Sequence, residues 1–209
     1  MRLFNLGRIT ISLIIINFVM YTLQILLGDW FTKLFSLTPA LAFDGAYWQF
    51  ITYMFMHSPS YIPHIMLNMF VLLIFGIRVE QTLGERNFII LYILAGLGSA
   101  GLFMFIDGFA STTMLLGASG AVFGVLAVYA FLFPRDIIWL YFIPMPAIMV
   151  LVLLAGWELL SGLLALQVGI ANFGHLGGII VGAIFAVYYR QTHKKKKSKG
   201  FEDVEFVWE

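Results

Sequence analysis

Residues 117–134 read Gly-Ala-Ser-Gly-Ala-Val-Phe-Gly-Val-Leu-Ala-Val-Tyr-Ala-Phe-Leu-Phe-Pro, with Arg135 immediately after. No charge interrupts this run, and its length is close to the ~20 residues a helix needs to cross a bilayer. Gly117, Gly120, Gly124 and Ala127 recur at three- and four-residue spacing. Such a small-residue stripe lets helix backbones approach closely where burial of apolar surface gives no driving force. Near the start stands a hydroxyl, Ser119, which hydrocarbon would leave unsolvated without a partner. This run is read as a membrane helix whose small face meets a neighbour.

The rest of the chain agrees. Of 209 residues, 61% are hydrophobic and 11% charged, against the ~25% charge of an ordinary soluble domain; mean hydropathy is +0.95. The expectation is an all-α polytopic bundle with six spans near 9–27, 62–82, 88–106, 118–134, 138–165 and 173–190. The first is read as a retained helix rather than a signal peptide, because Asp29 and Lys33 precede the small-x-small pair Ala40 and Ala42. Residues 1–190 form one membrane-embedded domain, and 191–209 a tail that opens on the basic run 194–199. A headgroup-facing or solvated role suits such a run.

Eleven of the twelve basic residues fall on one side if the six spans alternate, and only Lys33 falls on the other. By the positive-inside rule both termini are cytoplasmic, in a plasma-membrane protein. The connection 28–61 is long and aromatic, carrying Trp30, Phe31, Trp48, Phe50 and Tyr53, and is expected at the extracytoplasmic interface. A net charge of +1 points to no nucleic-acid partner, and the lack of cysteine excludes disulfides and thiolate chemistry.

Three further polar residues share the setting of Ser119. His64 and Asn68 lie four apart at the start of the second span, and His175 begins the sixth. His64, Ser119 and His175 each precede an arginine (Arg78, Arg135, Arg190) by 14–16 residues, or about 21–24 Å of helix. A common layer is therefore expected, drawn together by the stripe in 117–127 and by Gly174, Gly178, Gly182 and Ala186 in the sixth span. A serine hydroxyl becomes nucleophilic when a neighbouring base takes its proton, and histidine suits that task. The N–H of Ser119, with the side chains of His64 and Asn68, would supply donors to an oxyanion. Acyl transfer by a Ser119–His175 dyad is the reading, with Phe123 one turn on available to stack on the imidazole. Glu158 is the one acid near this depth, but its helix face is not readable from the sequence.

The motifs His64-x-x-x-Asn68, Gly76-x-x-x-Glu80, Gly117-Ala118-Ser119-Gly120 and His175-x-x-Gly178-x-x-x-Gly182 together resemble the rhomboid family of intramembrane serine proteases, over about residues 8–190. The resemblance implies Ser119 as nucleophile, His175 as general base and His64 and Asn68 as oxyanion donors. It also implies a structural role for Glu80, stacking by Phe123 and a place for Trp157 near substrate access. Substrates would be transmembrane proteins, cut in or beside a membrane segment with no metal or organic cofactor; the oligomeric state stays open. Three positions depart from the family pattern: Gln49 after Trp48, where arginine is usual; His57 seven residues before His64, where five is commoner; and Gly174 before His175, where alanine is common. A catalytically silent relative that escorts membrane proteins would lack the serine or histidine, and both are present. A transporter would show repeats or broken helices, and no repeat is found. A zinc mechanism lacks its HExxH, and a shared-proton mechanism lacks its aspartate pair.

Overall fold

The computed structural model describes residues 7–140, 142–165 and 172–202, with side chains for 7–139, 142–165 and 172–192. Helix α1 (Arg8–Leu27) leads into a long connection folded as α2 (Asp29–Phe35), α3 (Pro39–Phe43), α4 (Gln49–Thr52) and a 3-10 turn at Tyr53–Phe55. Next come α5 (Pro63–Val71), a π-helical segment (Leu72–Gly76) and α6 (Ile77–Leu83), which form one continuous rod. Helix α7 (Glu85–Asp107) is followed by α8 (Ser119–Leu132), strands β1 (Ile137–Leu140) and β2 (Ile143–Pro146), α9 (Ala147–Leu163) and α10 (Asn172–Glu202).

Among the described residues four helical segments are long and apolar enough to cross a membrane: Arg8–Leu27, Pro63–Leu83, Glu85–Asp107 and Asn172–Thr192. Two shorter apolar helices, α8 and α9, complete the bundle. The protein is thus an integral, multi-pass helical membrane protein. Its outward faces carry Ile15, Val19, Phe70, Leu73 and Ile184 in exposed positions, as lipid contact requires.

The fifth span expected over 138–165 is corrected. Its first part is an antiparallel hairpin pairing Ile137 with Pro146 and Leu140 with Ile143, and helix begins only at Ala147. The cause is visible in the sequence: Pro144 and Pro146 cannot donate the helical hydrogen bonds an interior position requires. The long connection is folded as well. Leu37 and Leu115 exchange backbone hydrogen bonds of 2.9 and 2.8 Å, and the Tyr53 hydroxyl donates to the Gly96 carbonyl at 2.7 Å. The helical part of the tail continues α10 to Glu202; residues 203–209 lie outside the described ones.

Helices α7, α8 and α10 form the tightest part of the bundle. A Cβ on Gly178 would strike the Gly120 carbonyl, and one on Gly182 would strike that of Gly124. A Cβ on Gly120 would meet Ser99 of α7, and one on Gly124 would meet Ala95. Glycine here is a packing requirement, and the two stripes expected from the sequence interlock.

Glu80 secures the other end of α1. Its carboxylate accepts the N–H groups of Ile9 (3.0 Å) and Thr10 (2.8 Å) and the Thr10 hydroxyl (2.7 Å). The first N–H groups of a helix have no partner within it and carry partial positive charge. No side chain of its own caps α1, so a buried acid from α6 supplies the acceptor. Near the same end Arg78 bridges to Asp136 at 2.9 Å and lies over the Phe133 ring, and Tyr129 donates to Asp136 at 2.9 Å.

Candidate active site

Ser119 is the first residue of α8, so its N–H is among those with no helical acceptor. Two features fix where the helix starts. Gly117 has φ of +130°, which L side chains rarely adopt, and its N–H donates to the Tyr53 carbonyl at 3.0 Å. The folded connection therefore positions the serine, although it is remote in sequence.

His175 stands in the first turn of α10, three residues before Gly178. Backbone contact at Gly120 and Gly178 brings Ser119, one residue before Gly120, against His175, three residues before Gly178. Their separation is 2.7 Å between Ser119 Oγ and His175 Nε2. Phe123, one turn beyond Ser119, stacks on the imidazole with ring centroids 4.7 Å apart and planes 26° apart. Both Ser119 and His175 are partly buried and keep some exposure.

His64 approaches from α5. The Ser58 N–H donates to its Nδ1 at 3.4 Å, which leaves Nε2 to carry the proton. That nitrogen lies 2.8 Å from the position a Cβ on Gly117 would occupy, and the same position is 3.5 Å from Ser119 Oγ. Glycine at 117 is thus required by close approach as well as by φ, and His64 presents a donor beside the serine.

Asn68 is placed one turn away, with its amide already engaged. Nδ2 donates to the His64 carbonyl at 2.9 Å and stands 3.3 Å from His57 Nε2. His57 is fully buried, edge-on to His64 with ring centroids 4.9 Å apart. Its backbone is clamped by Gln24, which accepts the His57 N–H at 2.9 Å and donates to its carbonyl at 2.8 Å. Burial, reinforced by neighbouring His64, pushes the His57 imidazole down to about 3, so it is a neutral acceptor at any ordinary pH. The unusual seven-residue spacing still brings His57 against His64 and Asn68.

Gln49 also has a clear place. It is buried, accepts the Thr38 N–H at 3.0 Å and donates to the Leu34 carbonyl at 3.2 Å, while the Trp48 indole donates to that same carbonyl at 2.9 Å. A neutral amide stitches the connection where a charge was expected from the family pattern. Trp157 is half-exposed on α9. Gly178 and Gly182 line the α8–α10 seam, and Gly117 and Gly120 flank the serine on either side.

Glu158, the one acid near this depth in the sequence, faces His175 in the structure. Its Oε2 lies 3.0 Å from Nδ1 of His175, in surroundings that leave the two side chains 9% and 13% exposed. Among the described residues no group of histidines and acids could hold a metal ion.

A helical membrane protein with a serine hydroxyl hydrogen-bonded to an imidazole is the class this fold and site define. A family model for the rhomboid domain matches residues 44–192. The chain belongs to the rhomboid family. It is 27% identical to the rhomboid protease AarA of Providencia stuartii over 222 residues, covering 89% of this chain and 74% of that protein. It is 28% identical to the rhomboid protease GlpG of Haemophilus influenzae over 144 residues, covering 68% and 69%. Rhomboid protein 1, mitochondrial, of Saccharomyces cerevisiae is 30% identical over 140 residues, which cover 65% of this chain and 40% of that longer protein.

Proposed function

We propose that this chain is an intramembrane serine endopeptidase that hydrolyses peptide bonds in or next to transmembrane segments of other membrane proteins. The 2.7 Å contact between Ser119 Oγ and His175 Nε2, in a member of a family with two named proteases among its relatives, carries this reading.

In the proposed reaction His175 Nε2 takes the Ser119 proton as Oγ attacks the scissile carbonyl carbon. The developing oxyanion is received by the Ser119 N–H and the Nε2–H of His64. Asn68 adds a third donor when its amide turns from His57. One such donor is worth about 10²–10³ in rate. His175 returns the proton to the leaving amine, and the C–N bond breaks to leave an ester on Ser119. Water, deprotonated by the same imidazole, then hydrolyses that ester and regenerates the serine. Phe123 holds the ring plane throughout.

Six spans with both termini cytoplasmic fit the bias of basic residues, which puts Arg78 and Arg190 at the end opposite Ser119. Water then reaches Ser119 from the extracytoplasmic side of the plasma membrane. Substrate enters laterally between the α5–α6 rod and α9, beside Trp157. The packing of α9 mainly on α8 and α10 supports this, as do the exposed Leu67 and Phe70 of α5. A fluorophosphonate probe tests the reading. It is expected to label the intact protein at Ser119 and to leave Ser119→Ala and His175→Ala unlabelled; equal labelling of Ser119→Ala would overturn it.

A further inference from the structure

We infer that Glu158 is a positioning residue of the site, accepting the Nδ1–H of His175 and so holding the ring with Nε2 toward Ser119. This rests on the proposed hydrolysis by Ser119 and His175.

For Nε2 to accept the Ser119 proton, the neutral ring must carry its own proton on Nδ1. That N–H then needs an acceptor, because a buried donor without one costs about 1–3 kcal/mol. Glu158 Oε2 stands 3.0 Å away, and both atoms are buried with no aligned hydrogen-bond partner among the described residues. The oxygen lies off the ideal N–H direction in this resting arrangement. Catalytic hydrogen bonds often straighten only when substrate is bound, and positive charge developing on the ring would draw this one in.

Its setting makes Glu158 hard to explain as an accident. It is the only charged residue in α9, and it is buried in a helix otherwise apolar but for Ser161. An acid within a membrane helix is costly and marks a partner or a function. Anchoring α9 to α10 does not require it: a Cβ on Gly162 would already lie 2.9 Å from the Phe173 ring. Stacking by Phe123 fixes the plane of the imidazole but leaves it free to flip by 180° about Cβ–Cγ, which exchanges its nitrogens with ring carbons. A contact at Nδ1 removes that freedom, so the two neighbours restrain different motions.

The test uses the full chain in liposomes with a transmembrane substrate, comparing wild type, Glu158→Gln, Glu158→Asp, Glu158→Ala and Ser119→Ala. Glu158→Gln keeps the size and can still bridge α9 to α10 but loses the charge. It is expected to lower kcat about 10–10²-fold with KM within about twofold, and to slow fluorophosphonate labelling of Ser119 in parallel. Glu158→Ala loses at least as much, and Glu158→Asp recovers part of kcat. Thermal unfolding of each variant separates these losses from misfolding, and the Asp variant carries the comparison if the Gln variant does not fold. Wild-type kcat and labelling rate in Glu158→Gln would overturn the inference and leave the hydrolase intact. Undiminished cleavage by Ser119→Ala would instead overturn the hydrolase reading, and this inference with it.

Discussion

The Gly120 carbonyl occupies the space a Cβ on Gly178 would need. This contact sets the distance between α8 and α10, and through it the distance from Ser119 to His175. Gly178→Ala must push the helices apart, at a cost of about 1–3 kcal/mol. Activity is expected to fall at least tenfold even where the protein remains folded. Gly101→Ala is the matched control, because nothing lies within 4 Å of its added methyl. Cleavage rates and unfolding temperatures of the two variants check this; an active Gly178→Ala enzyme would contradict it.

Glu80 should matter for folding and not for chemistry. Its carboxylate serves two N–H groups and a hydroxyl at the start of α1. Glu80→Ala strips that helix end of its acceptor and is expected to cost about 2–3 kcal/mol. Unfolding in mild detergent should show the loss, while the labelling rate of Ser119 in the protein that stays folded remains near wild type.

His57 gives a pH dependence with a definite sign. Its folded value is lowered from 6.5 to about 3 by burial and by neighbouring His64. Below pH 6.5 the unfolded chain binds a proton that the folded chain refuses. The stability contributed by neutral His57 is therefore complete above 6.5 and is lost progressively as pH falls toward 3, by at most about 1.4 kcal/mol per pH unit. Replacing it by an uncharged residue removes this dependence. The unfolding temperature of His57→Gln, below wild type at pH 7.5, should close on or pass the wild-type value by pH 4.5. A constant difference across that range would contradict the assignment.

Much of this architecture was legible in the residues because a bilayer imposes strong rules. Polar groups in apolar runs stand out, and glycine stripes announce close contacts, so Ser119, His175 and the α8–α10 seam could be read directly. Glu158 could not be aimed from sequence. Its helix is apolar on nearly every side, so no amphipathic pattern sets its phase, and merging the β-hairpin into the same span hid where the helix began. Pro144 and Pro146 carried that signal. The connection 28–61 was legible only as long and aromatic. Its hold on Gly117 runs through the Tyr53 carbonyl, a backbone contact across more than sixty residues that no side-chain pattern encodes. Asn68 was readable as a polar group at the right level, but not its engagement with His57, which depends on that loop.

Cleavage of a transmembrane substrate by the purified protein in liposomes tests the central claim most directly. Wild type is compared there with Ser119→Ala and His175→Ala. The 2.7 Å Ser119–His175 pair predicts that wild type releases two fragments cut in or beside the membrane segment, and that both variants fall to background. Cleavage by Ser119→Ala at the wild-type rate would contradict it.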